Sequence, residues 1–400
     1  MSILRENELI HKKILFLCPS LACGGVERSV LNLMNALQKN NIKVSLGLLR
    51  NTGELLSEFE CNGYYYFASG IIFNFFFSFF KFNKNIYNFI LAFHQINKLI
   101  KVIKPDIVLT FTLETTLPMS LRFKKKNNPD NFIWIISEGS NVPGSIDRLF
   151  LNKTINKFIK YIISKRYIKA DFVTTVSHGL KNSLITNYHI PPTKINTIYN
   201  PLKADILQKA NIEMTQNNNL LNSDFILAIG RLVPVKGFAN LLDSFSKVLK
   251  EKDIKLVIFG DGPDRNELQK LADKLDISGK VYFMGFSDNP WYYIKKAKML
   301  VVTSILEGFC NVITEAMALE CPVISTACDY GPLELIQDNE NGLLVPINDP
   351  KALAERIVFL LDNPDICQRF STAGKVFSQK FIPELICEEY MKMFNDLLRK

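Results

Sequence analysis

Phe225-Ile226-Leu227-Ala228-Ile229-Gly230-Arg231-Leu232-Val233-Pro234-Val235-Lys236-Gly237-Phe238 opens the second half of the chain and decides how it is read. Five uninterrupted apolar residues read as a strand buried on both faces, as in a parallel sheet. A turn marked by glycine and proline follows, and then a helical stretch, Phe238–Lys250. The alternation continues through the strands Leu256–Phe259, Val281–Met284, Leu300–Thr303, Val323–Ser325 and Leu343–Val345, with helices over Arg265–Leu275 and Val312–Leu319. Strands alternating with helices of this size predict a doubly wound α/β domain.

Working outward, the first half repeats the pattern less cleanly. Ile14–Leu17, Val44–Leu48, Ile107–Phe111, Phe132–Ile136 and Phe172–Val176 read as strands, and Val26–Lys39 as a helix. The whole predicts two Rossmann-like domains, residues 1–200 and 201–380, facing each other across a cleft. The join is expected near Asn200-Pro201, with the polar tract Gln216–Asn219 as a loop just beyond it. Residues 381–400 are expected to form a terminal helix packing back towards the first domain. Ligands of such sheets bind beyond the carboxyl ends of the strands, which puts the expected site between the domains.

Composition narrows the function classes. The chain has 400 residues, 48% hydrophobic and 22% charged, which suits a globular protein of two domains. Lys13-Ile14-Leu15-Phe16-Leu17 runs into Cys18-Pro19 and does not read as a secretory signal, so a cytoplasmic location is expected. The eight cysteines lack CxxC or zinc-knuckle spacing and read as free thiols, and the four histidines show no ligand spacing. No protein-held metal and no cofactor are therefore expected. Residues 1–200 carry 25 Lys and Arg against 12 Asp and Glu, whereas 201–400 carry 23 against 27. All of the net +9 thus lies in the first half, which suggests an anionic partner there.

Four segments carry chemistry. Glu307-Gly308-Phe309-Cys310-Asn311-Val312-Ile313-Thr314-Glu315 places one carboxylate in a loop and a second, eight residues later, in the first turn or so of a helix. Carboxylates accept hydrogen bonds from the vicinal diols of a ribose or hexose, and the helix amino-terminus between them suits a phosphate or hydroxyl. Taken singly, Glu307 reads more simply as a solvated loop charge and Glu315 as an acid complementing the helix dipole. Arg231 and Lys236, five residues apart round a turn, can reach one diphosphate and neutralise a leaving nucleotide. Gly24-Gly25, between the first strand and helix, permits close backbone approach to a ligand at that helix's positive end. Glu138, ending the strand Phe132–Ile136 and followed by Gly139-Ser140-Asn141, faces the expected cleft, where it either assists an acceptor hydroxyl or serves as a structural acid. Gly260-Asp261-Gly262-Pro263 lacks the third glycine of a dinucleotide fingerprint and reads as a structural turn.

Together these residues resemble the EX7E motif and flanking segments of family 4, group 1 retaining glycosyltransferases, which have the GT-B fold. Cys321-Pro322-Val323-Ile324-Ser325-Thr326, Gly331-Pro332-Leu333-Glu334 and Asn341-Gly342-Leu343-Leu344-Val345-Pro346 continue that pattern in order. The resemblance implies that Glu315 binds the donor ribose, that Glu307 contacts the donor sugar as a catalytic residue, and that Phe309, Asn311 and Val312 line the donor site. It implies Arg231 and Lys236 at the donor phosphates, and makes Glu138 a second catalytic candidate. The Gly24-Gly25-Val26-Glu27-Arg28 string is similar to the family's amino-terminal loop. That likeness puts Gly24 and Gly25 at the donor phosphates, and Glu27, Arg28 and Asn141 on the acceptor side. Cys310 stands where the family usually has glycine or proline. The resemblance further implies metal-independent transfer with retention, from a nucleotide diphosphate sugar, most simply a UDP-sugar.

Two stretches bear on the acceptor. Residues 64–93 are strongly aromatic, but their apolar run is shorter than a spanning helix needs and is interrupted by Gly70, Asn74 and Ser78, so the stretch reads either as interfacial or as core. Lys153–Lys169 mixes Ile155, Phe158, Ile159, Ile162 and Ile163 with Lys153, Lys157, Lys160, Lys165 and Arg166, giving an amphipathic helix that either docks on an anionic membrane or is buried with a solvated basic back. The expected partners are a nucleotide sugar and a glycan or lipid-linked acceptor of polysaccharide or lipopolysaccharide synthesis, with no nucleic acid. A nucleotide-sugar epimerase on the same fold and a non-catalytic nucleotide-sugar-binding protein are the rival readings.

Overall fold

The computed structural model describes residues 8–22, 24–50, 52–53, 55–56, 64–66, 84–121, 131–140, 153–212 and 223–400. The chain divides into two compact units, one of Met1–Pro201 with Pro383–Lys400 and one of Leu202–Ile382.

In the first unit, seven strands form one sheet: β1 Lys13–Cys18, β2 Lys43–Leu48, β3 Tyr64–Tyr66, β4 Ile107–Thr110, β5 Ile133–Glu138, β6 Phe172–Thr175 and β7 Ile195–Thr197. Their order is β3-β2-β1-β4-β5-β6-β7, and every pairing is parallel. The chain therefore winds outward from β1 in one direction and then, from β4, in the other. The helix Gly25–Lys39 lays Val30, Leu33, Met34 and Leu37 on the sheet at the three- and four-residue spacing of one helical face. The terminal helix Pro383–Leu398 adds Ile386, Cys387, Tyr390, Met393 and Phe394 to the same core. Each large side chain buried there contributes about 1.5–3 kcal/mol of transfer free energy, which explains why this helix belongs to the first unit and not to the one preceding it in sequence.

The second unit holds six parallel strands: β8 Phe225–Ile229, β9 Lys255–Phe259, β10 Val281–Gly285, β11 Met299–Val302, β12 Val323–Thr326 and β13 Leu343–Val345. They lie in the order β10-β9-β8-β11-β12-β13. Its core runs from Ile226 and Leu242 through Ile258 and Val301 to Ile357 and Phe370. The winding reverses between β8 and β11, and a crevice for ligand opens at such a reversal, beyond the strand carboxyl ends.

The strands read from the sequence lie within two residues of those observed. β7 was not anticipated, because its three residues show no alternation. Of residues 64–93, the strand Tyr64–Tyr66 and the helix Lys84–Ile103 are described, and 67–83 lie outside the described residues. Among the described residues, no helix is long and apolar enough to cross a membrane.

Candidate active site

The loops after β8 and β11 meet at the reversal point of the second sheet. The turn Pro234–Lys236 follows β8, and Gly237 closes it with φ +68°. A Cβ at Gly237 would stand 2.1 Å from the Thr303 carbonyl oxygen, so only glycine lets this turn press against the end of β11. Two hydrogen bonds lock the approach: Thr303 Oγ1 donates to the Lys236 carbonyl at 3.0 Å, and the Ile305 amide donates to the Val235 carbonyl at 2.8 Å.

Locked in this way, Lys236 Nζ sits 2.5 Å from Glu307 Oε1, although the two are 71 residues apart in sequence. Ser304 Oγ donates to the same carboxylate oxygen at 2.7 Å, and Thr326 Oγ1 in turn donates to the Ser304 carbonyl at 2.5 Å. The Glu307 amide donates to the Asp329 carbonyl at 3.2 Å. Burial alone would lower the Lys236 pKa, but the Glu307 carboxylate leads the charges that outweigh it, and the ammonium is held above its ordinary value. The lysine is thus a fixed cation at neutral pH. Its side chain keeps 27% of its exposure and that of Glu307 keeps 11%, so the pair is sheltered yet reachable. Ser304 was not singled out by sequence reading. The available signal was a hydroxyl three residues before the carboxylate.

Arg231 lies exposed on the same turn and forms no ion pair among the described residues. The Gly260-Asp261-Gly262-Pro263 segment supports its loop. Asp261 accepts from the Leu232 amide at 2.9 Å, and the Asp264 amide donates to the Leu232 carbonyl at 3.1 Å. On the other side, the helix Asn311–Ala318 begins after Cys310, which holds φ +80°. This left-handed conformation explains why glycine is at home at that position. Burial, then the Glu307 charge, pushes the Cys310 thiol well up, and burial pushes Cys328 up to about 12, so both are neutral. Asn311 and Val312 form the first turn, half-buried, and Phe309 is buried against Phe381. Glu315, expected in about the first turn, stands fifth in the helix and half-buried, one turn further along.

The first unit places its candidates differently. Gly24 caps the helix Gly25–Lys39, and the Arg28 amide donates to its carbonyl at 3.1 Å. Glu27 folds back over this end: a Cβ on Gly24 would lie 2.0 Å from its Oε2. The same carboxylate adds to burial in raising the Cys18 thiol pKa, which sets it near the end of β1. Gly25 is exposed and Arg28 half-buried, while Asn141 lies outside the described residues.

Glu138 requires a correction. Expected to face a cleft, it is 2% exposed. Tyr167 donates to its Oε2 at 2.5 Å, and the Ser140 amide and hydroxyl donate to its Oε1 at 3.1 and 2.7 Å. Side chains alternate along a strand, and it is Ser137 and Gly139 that turn to the other side, lining a cavity with Val26, Phe111, Asn200 and Tyr390. Burial raises the Glu138 pKa against the pull of its donors, and raises that of Tyr167 as well, which keeps the phenol a donor. So placed, Glu138 pins the start of the segment leading to Asn141.

Comparison with known proteins follows the same division. The family described as Glycosyltransferase Family 4 matches residues 23–205, and Glycosyl transferases group 1 matches residues 210–377. An N-acetylgalactosamine-N,N'-diacetylbacillosaminyl-diphospho-undecaprenol 4-alpha-N-acetylgalactosaminyltransferase of Campylobacter jejuni is 29% identical over 61% of this chain and 66% of its own length, just under two thirds. The capsular polysaccharide biosynthesis glycosyltransferase CapM of Staphylococcus aureus is 27% identical over 74% of this chain and 84% of its own. Among solved structures, HepE of Anabaena in complex with UDP and glucose superposes with a TM-score of 0.77 at 18% identity, covering 96% of this chain and all of HepE. At that identity the likeness speaks for the fold alone, which is GT-B. With the two family matches dividing nearly the whole length between them, this chain is a glycosyltransferase that belongs to group 1 and family 4.

Proposed function

We propose that the chain transfers a sugar with retention of configuration from a UDP-sugar to a glycan or lipid-linked acceptor in the synthesis of a surface polysaccharide or related glycoconjugate. The observation that carries this is the meeting of Lys236 and Glu307 at the reversal point of the second sheet, with exposed Arg231 on the same turn. A diphosphate laid across that turn takes Arg231 and Lys236 as its counter-cations, and the Asn311 helix end offers further N–H donors. Glu307 then accepts from a sugar hydroxyl and Glu315 from the ribose diol. As the anomeric carbon–oxygen bond to phosphate breaks, the cations hold the charge that develops on the leaving group. The acceptor oxygen bonds to the same face of the sugar, and its proton passes to a departing phosphate oxygen, so no enzymic nucleophile is required.

The UDP and glucose bound by HepE, and the undecaprenol-linked acceptor in the name of the Campylobacter enzyme, support this donor and acceptor class. The test is nucleotide release from UDP-, GDP- and ADP-sugars, with and without a membrane lipid extract. Release confined to UDP-sugars, dependent on lipid and abolished in Lys236→Ala and Glu315→Ala, is the expected result. Release without any acceptor would point to an epimerase or hydrolase, and release from none to a binding role.

A further inference from the structure

The helix Lys153–Tyr167 and the two residues beyond it present a face that the described residues of the first unit do not cover. Asn156, Ile163, Ser164 and Tyr167 turn inward. The sequence reading had grouped Ile162 and Ile163 on one greasy side, but the structure separates them: Ile163 is core, whereas Ile162 is 38% exposed. Tyr161 at 59% and Ile168 at 38% lie on the same outward side. Lys157, Lys165 and Lys169 are exposed among them, and Lys165 Nζ sits 5.3 Å from the centre of the Tyr161 ring. Lys194 reaches the carbonyls of Ile168 and Ala170, adding a cation at the helix end. Residues 153–169 contain no acid.

From this face we infer a docking surface for an anionic lipid bilayer, an inference that rests on the lipid-linked or surface-glycan acceptor proposed above. Charge complementarity selects the occupant. An uninterrupted set of lysines matches a leaflet of negative headgroups, while an aromatic ring and two branched aliphatic side chains between them have nothing to gain from a polyphosphate chain. Tyrosine with flanking lysines suits the headgroup layer, where the ring is half immersed and the ammonium groups stay in water. The inward side of the same helix gives the surface a consequence. Tyr167 is the residue that donates to Glu138, which in turn holds Ser140. A bilayer docked on Tyr161 and Ile162 therefore lies on the element whose inner side holds Glu138 and Ser140 at the carboxyl end of β5.

The test is co-sedimentation of the full chain with phosphatidylglycerol vesicles at low salt, against phosphatidylcholine vesicles and a single-stranded RNA. Binding to the anionic vesicles alone is expected. Lys157→Gln with Lys165→Gln should weaken it on the order of tenfold or more, at about 1 kcal/mol for each cation near an anionic leaflet. Tyr161→Ser with Ile162→Ser should weaken it at high salt, where the charge contribution is screened. Both variants should melt as the wild type does. Nucleotide release, measured on the same variants with a detergent-solubilised lipid extract as acceptor in place of vesicles, keeps the two ideas apart: lost docking with intact UDP-sugar turnover supports the surface. No binding to anionic vesicles, equal binding by the lysine variant, or RNA displacing the vesicles would overturn it, whatever the release assay gives.

Discussion

The two units share a winding, β3-β2-β1-β4 in one and β10-β9-β8-β11 in the other, yet they use the carboxyl ends of their strands in opposite ways. The second unit keeps a carboxylate and an ammonium paired and within reach of solvent at its reversal point. The first buries its strand-end carboxylate and saturates it with three donors. A charge held by another charge can be released to a ligand that offers a better partner, such as a diphosphate for Lys236. A buried carboxyl surrounded by neutral donors has no such exchange to make and serves geometry. The difference between the two sites is thus one of partner type, on nearly the same scaffold.

The largest expected effect breaks the second unit's pair. Lys236→Ala or Glu307→Ala should lower kcat/KM by about 10²–10³, the scale of removing a charge-stabilising group. Because each variant leaves the other charge without its partner, the double variant should lose far less than the product of the two. Simple multiplication of the losses in a steady-state double-mutant cycle would show that the residues act separately.

Next comes the turn that makes the pair. Gly237→Ala puts a Cβ against the Thr303 carbonyl at a positive φ, and should destabilise by about 1–3 kcal/mol in chemical unfolding while lowering donor turnover. Stability unchanged within error would mean that the approach of the two loops is looser than described.

Glu138 sharpens the contrast from the other side. As a positioning group it should tolerate Glu138→Gln with kcat within about threefold, whereas a general base would lose at least about 10²-fold. Glu138→Ala should cost about 1–3 kcal/mol, since Tyr167 and Ser140 are left without their acceptor. The pH dependence has a definite sign. The folded carboxyl binds its proton more tightly than the unfolded one, so wild-type stability falls as pH rises from the ordinary carboxylate pKa through the raised one. Glu138→Gln removes that fall and should gain stability relative to the wild type as pH rises through the window. A flat difference between the two proteins in urea titrations from pH 4 to 8 would contradict the burial. The smallest effect is expected at the exposed Arg50–Glu114 pair, where Glu114→Gln should shift stability by at most about 0.5 kcal/mol.

What the sequence disclosed follows from range. Apolar runs such as Phe225–Ile229 and Leu343–Val345 are local signals, and their strands appear at those residues. The Lys236–Glu307 contact is not local: it depends on β8 and β11 being neighbours and on Gly237 admitting the approach, neither of which periodicity encodes. The facing of Glu138 was misread because one residue along a strand reverses the side, and the pattern near Ser137 and Gly139 offers no alternation to set the phase. On the docking helix, Ile162 and Ile163 are equally apolar, and only the packing of Tyr167 and Ile163 against the unit decides which of them meets solvent.

The central claim is that Lys236, freed from Glu307 at the reversal point, holds the donor diphosphate together with Arg231, and calorimetric titration with UDP tests it most directly. The account predicts that UDP binds the wild type, that Arg231→Ala and Lys236→Ala each weaken it by tenfold or more, at about the 1.5–3 kcal/mol of a charged hydrogen bond, and that Glu307→Gln binds as tightly or more tightly, because Lys236 no longer has a carboxylate to leave. UDP affinity unchanged in both cation variants, or lost in Glu307→Gln, would contradict it.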